Sequence, residues 1–356
     1  MAKELIINLS SNKGLQQYFL HYDHSNSEIY GLERTSEIRL KKNEQARYRF
    51  IYFLIYCVKQ RFKLLFLPSS HFFDVSHWHV FRVYPFFWLL PARKHIISLH
   101  DAGYFLLPYT QTFVNKIFMF IIKINIHKVD KFLVLSQDAK NNLISYGKFP
   151  ENKIEIVYPG SNFKFLISTN PFIRLNIKEP ESYIVCVSRW QPHKNVEGLI
   201  EGFYKFLRTN PDSDIKLVLV GKPVSNHDTP MKKIQQYGLS SKIVILKDLS
   251  DSELSWLYDN GVISVFPSIH EGFGLAVLES LSRGCPAIVD SNTSTCEVVG
   301  DAGFCVDMKN STELSATLQI ILTDHNQLRS LRGKSINRAD FFSWDKSVST
   351  LLNIYQ

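Results

Sequence analysis

The densest chemistry in the chain lies in PSIHEGFGLAVLESLSRGCPAIV, residues 267–289. Gly272 and Gly274 permit a tight turn with close backbone approach, and the run from Leu275 to Ser282 reads as a helix closed by Gly284 and Pro286. The helix therefore opens near Gly274, where its first amides and the positive end of its dipole suit a phosphate. Glu271 stands before the turn and Glu279 inside the helix. Carboxylates only accept hydrogen bonds, so the two fit hydroxyl groups on either side of that phosphate. By residue type alone, a capping Glu271 and a solvated Glu279 remain open.

A second constellation is VSRWQPHKN, residues 187–195. Ligands of open α/β sheets gather at the carboxyl ends of strands, and Arg189 and Lys194 follow one. The Arg fork and the Lys point charge are suited to hold a diphosphate and to stabilise its charge as it leaves. A solvated loop is the competing reading of these two residues.

The elements that must position these groups alternate: apolar runs of strand length, then amphipathic stretches of helix length, which is the pattern of parallel sheets with crossover helices. The fold class is α/β. In the first half the strands are expected at 4–10, 63–69, 95–101, 131–136 and 153–160, with a helix over 136–147 opened by Ser136 and closed by Gly147. Residues 161–180 carry no clear period and contain Asn170-Pro171 and Glu179-Pro180, so a linker is placed there. A second alternating set follows, with strands SYIVCVSR, KLVLVGK, KIVILKDLS and ISVFPS and helices over 195–209, near 229–238 and over 251–259. Two domains are expected, 1–165 and 166–338, doubly wound and facing across a cleft. The apolar spacing of FFSWDKSVSTLLNIYQ (341–356) predicts a helix that returns to the first domain, whose share of the tail is taken as 339–356.

Composition, with 45% hydrophobic and 21% charged residues, excludes disorder and low complexity. Five cysteines without CxxC spacing read as buried thiols in a reducing compartment, and the N-terminal apolar run is too short for a secretory signal, so a cytoplasmic protein is expected. Net charge is +8, unevenly spread: residues 1–160 hold 21 Lys/Arg against 12 Asp/Glu, the remainder 20 against 21. An anionic partner, such as a lipid surface, a lipid diphosphate or a nucleic acid, would be drawn to the first half. Two aromatic and basic stretches there, 46–63 and 113–131, read either as crossover helices with a core face or as segments at a membrane interface. No His/Cys/Asp cluster has metal-ligand spacing, and His77 and His79 lack spaced carboxylates beside them, so no obligatory metal is expected.

EGFGLAVLE (271–279) resembles the E-x7-E signature of glycosyltransferase family 4, with that family's Gly-Phe-Gly turn, and VSRWQPHKN resembles its G-R-L-x-x-x-K-G loop. The stretch VLSQDAKNNLISYGKFPENKIEIVYPGSN (134–162) is similar to the family's crossing into the second domain, and DLSDSELSWLYDNGVISVFPS (248–268) to the stretch before the signature. The match runs in order through most of residues 95–300.

The resemblance implies a GT-B fold and a retaining transfer of a hexosyl group from a nucleotide diphosphate sugar, in which the leaving diphosphate itself assists the acceptor hydroxyl. It also implies Glu271 at the donor sugar's hydroxyls, Glu279 at the ribose and Arg189 and Lys194 at the diphosphate. Phe273, Gly274 and Leu275 would sit at the sugar or distal phosphate, Leu249 at the base, and His100 near the reacting carbon as a catalytic contact. The family's first loop usually carries a glycine pair; here only Gly14 stands there and is carried over as a donor contact. His193 stands where the family is often acidic, and Lys247 where it often has glycine.

The implied acceptor is a glycan, lipid-linked at the inner membrane face, as in synthesis of bacterial surface polysaccharides such as lipopolysaccharide, O-antigen or capsule. Competing readings are a DNA glucosyltransferase, set back by the lack of a basic base-reading helix, a sugar-nucleotide epimerase of the same fold, and an inactive nucleotide-sugar-binding scaffold.

Overall fold

The computed structural model of the chain describes residues 17–21, 35–39, 73–79, 90–100, 103–107, 113–223 and 229–356. The chain divides into two compact units: unit 1 runs to Leu135 and adds Ala139–Pro159 and Trp344–Gln356, and unit 2 comprises Ser136–Asp138 and Gly160–Ser343.

In unit 1, β1 (Gln17–His21) and β2 (Thr35–Arg39) pair in parallel as a two-stranded sheet. A second, four-stranded parallel sheet has the order β3 (Phe73–His79), β4 (Ala92–His100), β5 (Lys131–Val134), β6 (Ile154–Ile156). The last three are the strands expected at 95–101, 131–136 and 153–160; β4 opens three residues earlier and β5 and β6 are shorter. The strands expected at 4–10 and 63–69, the stretch 46–63 and Gly14 lie outside the described residues. β3, FDVSHWH, was not expected, since Trp78 falls on the opposite phase from Phe73 and Val75 and breaks the alternation that marks a half-buried strand.

One face of this sheet buries Ile97, Phe132, Val134 and Ile154 with Met119 and Ile122 of the helix Phe113–Ile124 and Leu143 of the helix Gln137–Ser145. Onto Ile96, Leu133 and Val157 comes the C-terminal helix Trp344–Tyr355, with Trp344 and Leu351 buried. Burying two such side chains stabilises the seat by about 2–3 kcal/mol each. His77 holds the helix end, sharing hydrogen bonds with Tyr355 Oη at 2.6 Å and Ser98 Oγ at 2.8 Å. The tail thus does return to the first unit, from Trp344 onward.

Unit 2 holds a six-stranded parallel sheet built from β7 (Tyr183–Val187), β8 (Lys216–Val220), β9 (Ile243–Leu246), β10 (Ile263–Phe266), β11 (Ala287–Asp290) and β12 (Gly303–Val306), in the order β12-β11-β10-β7-β8-β9. Helices on its faces bury β7, β10 and β11 almost completely, as parallel strands require. Chain order reverses between β7 and β10, which makes their carboxyl ends the switch point where such sheets take ligands.

Residues 161–180 are more structured than a linker. Asn170 and Pro171, read as a turn, start the helix Pro171–Leu175: Asn170 Oδ1 accepts from Phe172 N at 2.9 Å and Pro171 occupies the first turn, where its missing N–H costs nothing. Arg283 fastens the preceding segment, donating to Asp259 Oδ1 at 2.7 Å and to the carbonyls of Phe163 and Leu166 at 3.1 Å. β11, β12 and the helices Ser294–Val299, Ser311–Thr323 and His325–Phe341 were not anticipated.

The reading of the cysteines as buried thiols is corrected for two of them, and Cys57 lies outside the described residues. Cys296 and Cys305 form a disulfide with Cα atoms 5.6 Å apart, while Cys186 and Cys285 are buried free thiols. The reversal through Gly300 lays the helix Ser294–Val299 back along β12, and only that brings the two together. No described helix is long and apolar enough to cross a membrane.

Candidate active site

Eight of the nominated residues follow strands β7, β9 and β10 of unit 2. After β7 the chain is pinned to the end of β8: Ser188 N donates to Val220 O at 3.0 Å and Trp190 N to Lys222 O at 3.3 Å. Gly221 (φ +138°) makes this approach possible, since a Cβ there would strike the Ser188 carbonyl. Trp190 is buried and Arg189 beside it is exposed, so the anchor fixes the backbone from which the guanidinium reaches out. The next turn, Pro192–Lys194, ends on Asn195 in the left-handed region, and the helix Val196–Thr209 begins.

After β10, Ile269 N donates to His193 O at 2.9 Å, which stitches the two loops together across the switch point. Here Lys194 Nζ pairs with Glu271 Oε1, both side chains about one fifth exposed (20% and 22%). The structure therefore joins two residues that the sequence placed in separate motifs.

Beyond Glu271, Gly274 adopts φ 100° and ψ 58° as N-cap of the helix Leu275–Ser282, and no side chain caps it. A Cβ at Gly274 would lie 2.7 Å from Thr295 Cγ2, so both conformation and space demand glycine. Ser294 Oγ donates to Glu271 O at 2.9 Å, supporting the same turn from below. The side chain of Phe273 is 2% exposed and packs edge-on against Phe342, with centroids 5.4 Å apart. It anchors the turn in the core, and only its backbone is available to a ligand.

Glu279 sits one turn into the helix, where burial, reinforced by the charge of Asp251, pushes its pKa up to about 7. Leu249 is half-buried after β9, between exposed Asp248 and Ser250, the N-cap of the helix Asp251–Asn260. His193 is pushed down to about 4, chiefly by burial and then by Lys194, so it is neutral near pH 7 and adds no cation beside Lys194. His100 ends β4 of unit 1 after a register shift and holds a left-handed φ of 50°, a conformation unusual for a side-chain-bearing residue.

Three residues that shape this site were missed. His270, next to Glu271, has its Nε2 buried with no hydrogen-bond partner among the described residues. Ser294 and Thr295 underlie the turn, and their only signal was the capping string SNTST before CEVV. Among the described residues no three His, Cys, Asp or Glu gather as metal ligands.

Two parallel-sheet units, with basic and acidic side chains meeting at a switch point beside an uncapped helix start, define a GT-B-type fold with a candidate site for a phosphorylated, hydroxyl-rich ligand. Residues 26–164 match the family described as Glycosyltransferase Family 4, and residues 169–338 the one described as Glycosyl transferases group 1. The chain thus carries a Glycosyltransferase Family 4 domain followed by a Glycosyl transferases group 1 domain.

It is similar to O-antigen chain mannosyltransferase B of Escherichia coli, 29% identical over 176 residues, covering 49% of this chain and 46% of that protein. It is also similar to O-antigen chain mannosyltransferase RfbU of Salmonella typhimurium, 27% identical over 217 residues, covering 60% and 57%. The chain thus spans less than two thirds of the length of these relatives. Sucrose-phosphate synthase from Thermosynechococcus elongatus shares the fold with TM-score 0.76 at 18% identity, covering 99% of this chain and 91% of that one. Anabaena HepE in complex with UDP and glucose shares it with TM-score 0.71 at 14% identity, covering 99% and 95%.

Proposed function

We propose that this protein transfers a hexosyl group, with retention of configuration, from a nucleotide diphosphate sugar to a glycan acceptor in the synthesis of a bacterial surface polysaccharide. The observation that carries the reading is the Lys194–Glu271 pair at the switch point, beside the uncapped helix start at Gly274. Before the donor arrives, each charge of the pair holds the other in place. The donor's diphosphate then competes for the Lys194 ammonium and takes Arg189 as well, which releases Glu271 to accept the sugar's hydroxyls.

The backbone at Phe273, Gly274 and Leu275 receives the distal phosphate or sugar. Glu279 accepts from the ribose, Leu249 lies against the base, and Gly14 is a further donor contact. As the glycosidic bond breaks, negative charge grows on the diphosphate, and Arg189, Lys194 and the helix dipole stabilise it in place. The role usually given to a divalent ion falls to these groups. The departing phosphate oxygen takes the proton of the incoming hydroxyl on the same face of the sugar, so no protein nucleophile enters. His100 supports the reacting end of the sugar.

Similarity to O-antigen chain mannosyltransferases makes mannose the first sugar to test, with a lipid-linked acceptor at the cytoplasmic membrane face. The deciding experiment is a thermal-shift screen of GDP, UDP, ADP and TDP on the wild-type protein and an Arg189→Ala, Lys194→Ala variant, followed by transfer assays with the matching sugars. One nucleotide should raise the melting temperature of the wild type alone, and NMR of the product should show the donor's anomeric configuration. No shift with any nucleotide would overturn the donor site, and a shift with no transfer would favour a binding scaffold.

A further inference from the structure

The helix Phe113–Ile124 is apolar on both of its sides. Met119 (7% exposed) and Ile122 (1%) point into the core of unit 1, which is the one apolar face a surface helix needs. Phe113 (78%), Ile117 (44%), Phe120 (63%) and Ile124 (54%) are exposed. Their spacing of four, three and four residues stacks them in one stripe on the face turned away from the core. An outward stripe of four large apolar side chains costs solubility and marks a docking surface.

The charges around the stripe identify its partner. Lys116 and Lys123, both exposed, fall two turns apart along a single flank of it, and the helix sequence FVNKIFMFIIKI contains no acidic residue. His127 and Lys128 follow at its end, in a half of the chain that carries all the net positive charge. A second copy of the same face would bring like charges together around a two-fold axis. A surface of anionic lipid headgroups over acyl chains matches both features, taking the ring and branched side chains below the headgroups and the ammonium groups among them.

We propose that the helix Phe113–Ile124 lies in the plane of an anionic membrane and docks unit 1 on it through Phe113, Ile117, Phe120 and Ile124. It rests on the proposed function only in its purpose, which is to hold the enzyme where lipid-linked acceptors are. Binding is measured without donor or acceptor, so failure of the transferase reading would leave its outcome untouched.

The test is co-sedimentation of the full chain with phosphatidylcholine vesicles, with and without about one third phosphatidylglycerol, at low and high salt. The wild type should partition onto the anionic vesicles and release in high salt. Phe120→Ser with Ile124→Ser, and separately Lys116→Gln with Lys123→Gln, should each weaken partitioning by about tenfold or more. The melting temperature and nucleotide-induced shift should stay at wild-type values.

If the serine variant does not fold, the glutamine variant and Phe113→Ser, at the most exposed of the four positions, carry the same expectation. Equal partitioning onto neutral and anionic vesicles would overturn the proposal, as would vesicle binding unchanged by any of the substitutions. So would loss of a dimer in sedimentation velocity with no change in vesicle binding, which would make a second copy the occupant.

Discussion

The two units are built by the same alternation of parallel strands and crossover helices, yet they expose different chemistry. Unit 2 keeps its polar groups beyond the carboxyl ends of its central strands: a paired Lys194 and Glu271, a helix start shaped by Gly274, and a half-buried Glu279. Unit 1 shows an apolar stripe flanked by lysines and a strained His100 at a strand end. A small polar ligand is held by a few fixed groups, whereas a large soft partner needs area and diffuse charge. One architecture, used twice, thus presents fixed polar groups in one unit and an apolar face flanked by lysines in the other.

Removing the pair should have the largest effect. Lys194→Ala and Glu271→Ala are each expected to lower kcat/KM about 10²–10³-fold, and Lys194→Ala also to abolish the nucleotide-induced thermal shift, while vesicle binding is unchanged. Loss of vesicle binding in either variant would break the division of labour. His100→Ala sharpens it from the other side: kcat should fall about 10²-fold, with the nucleotide shift retained. A His100 variant that no longer binds nucleotide would place that residue with the donor groups.

Gly274→Ala adds a strained φ to a steric collision with Thr295 and should cost about 1–3 kcal/mol of stability in denaturant titration. Adding Thr295→Ser removes the colliding methyl, so the double variant should regain the steric part and keep the conformational part.

Glu279 gives a pH signature of similar size. Its carboxyl ionises near pH 4.5 when unfolded and near 7 when folded, so the folded state carries a penalty that grows across that window and is complete above it. Glu279→Gln should therefore stabilise the protein by about 2–3 kcal/mol at pH 8 and not at all at pH 4, while weakening donor binding. A gain independent of pH would contradict the burial argument.

The smallest effect belongs to the disulfide. It closes a nine-residue separation, so reduction, or Cys296→Ser with Cys305→Ser, should cost about 2 kcal/mol in unit 2 and leave vesicle binding intact.

The strands at β4 to β10 were legible because continuous apolar runs bounded by turn residues have few alternatives. The motifs at 187–195 and 271–279 were legible for a related reason: glycine at a turn, a helix start and acceptor or donor side chains are each fixed by local chemistry. Asn170-Pro171 misled because a turn and a helix N-terminus begin with the same residues, and only the burial of Pro171 and Phe172 in the fold separates the two. β11 and β12 were passed over as short runs, although once the sheet forms around them they carry the loop that supports Glu271.

The sequence by itself determined the strands β4 to β10, where a glycine turn opens a helix, and that positive charge is concentrated in the first half, because these follow from contacts and charges along the chain. Tertiary structure alone decided that Lys194 meets Glu271, that Thr295 closes on Gly274, that Phe273 is core and that Cys296 finds Cys305. Sheet order and chain reversals bring these residues together, and neither is encoded in any local spacing.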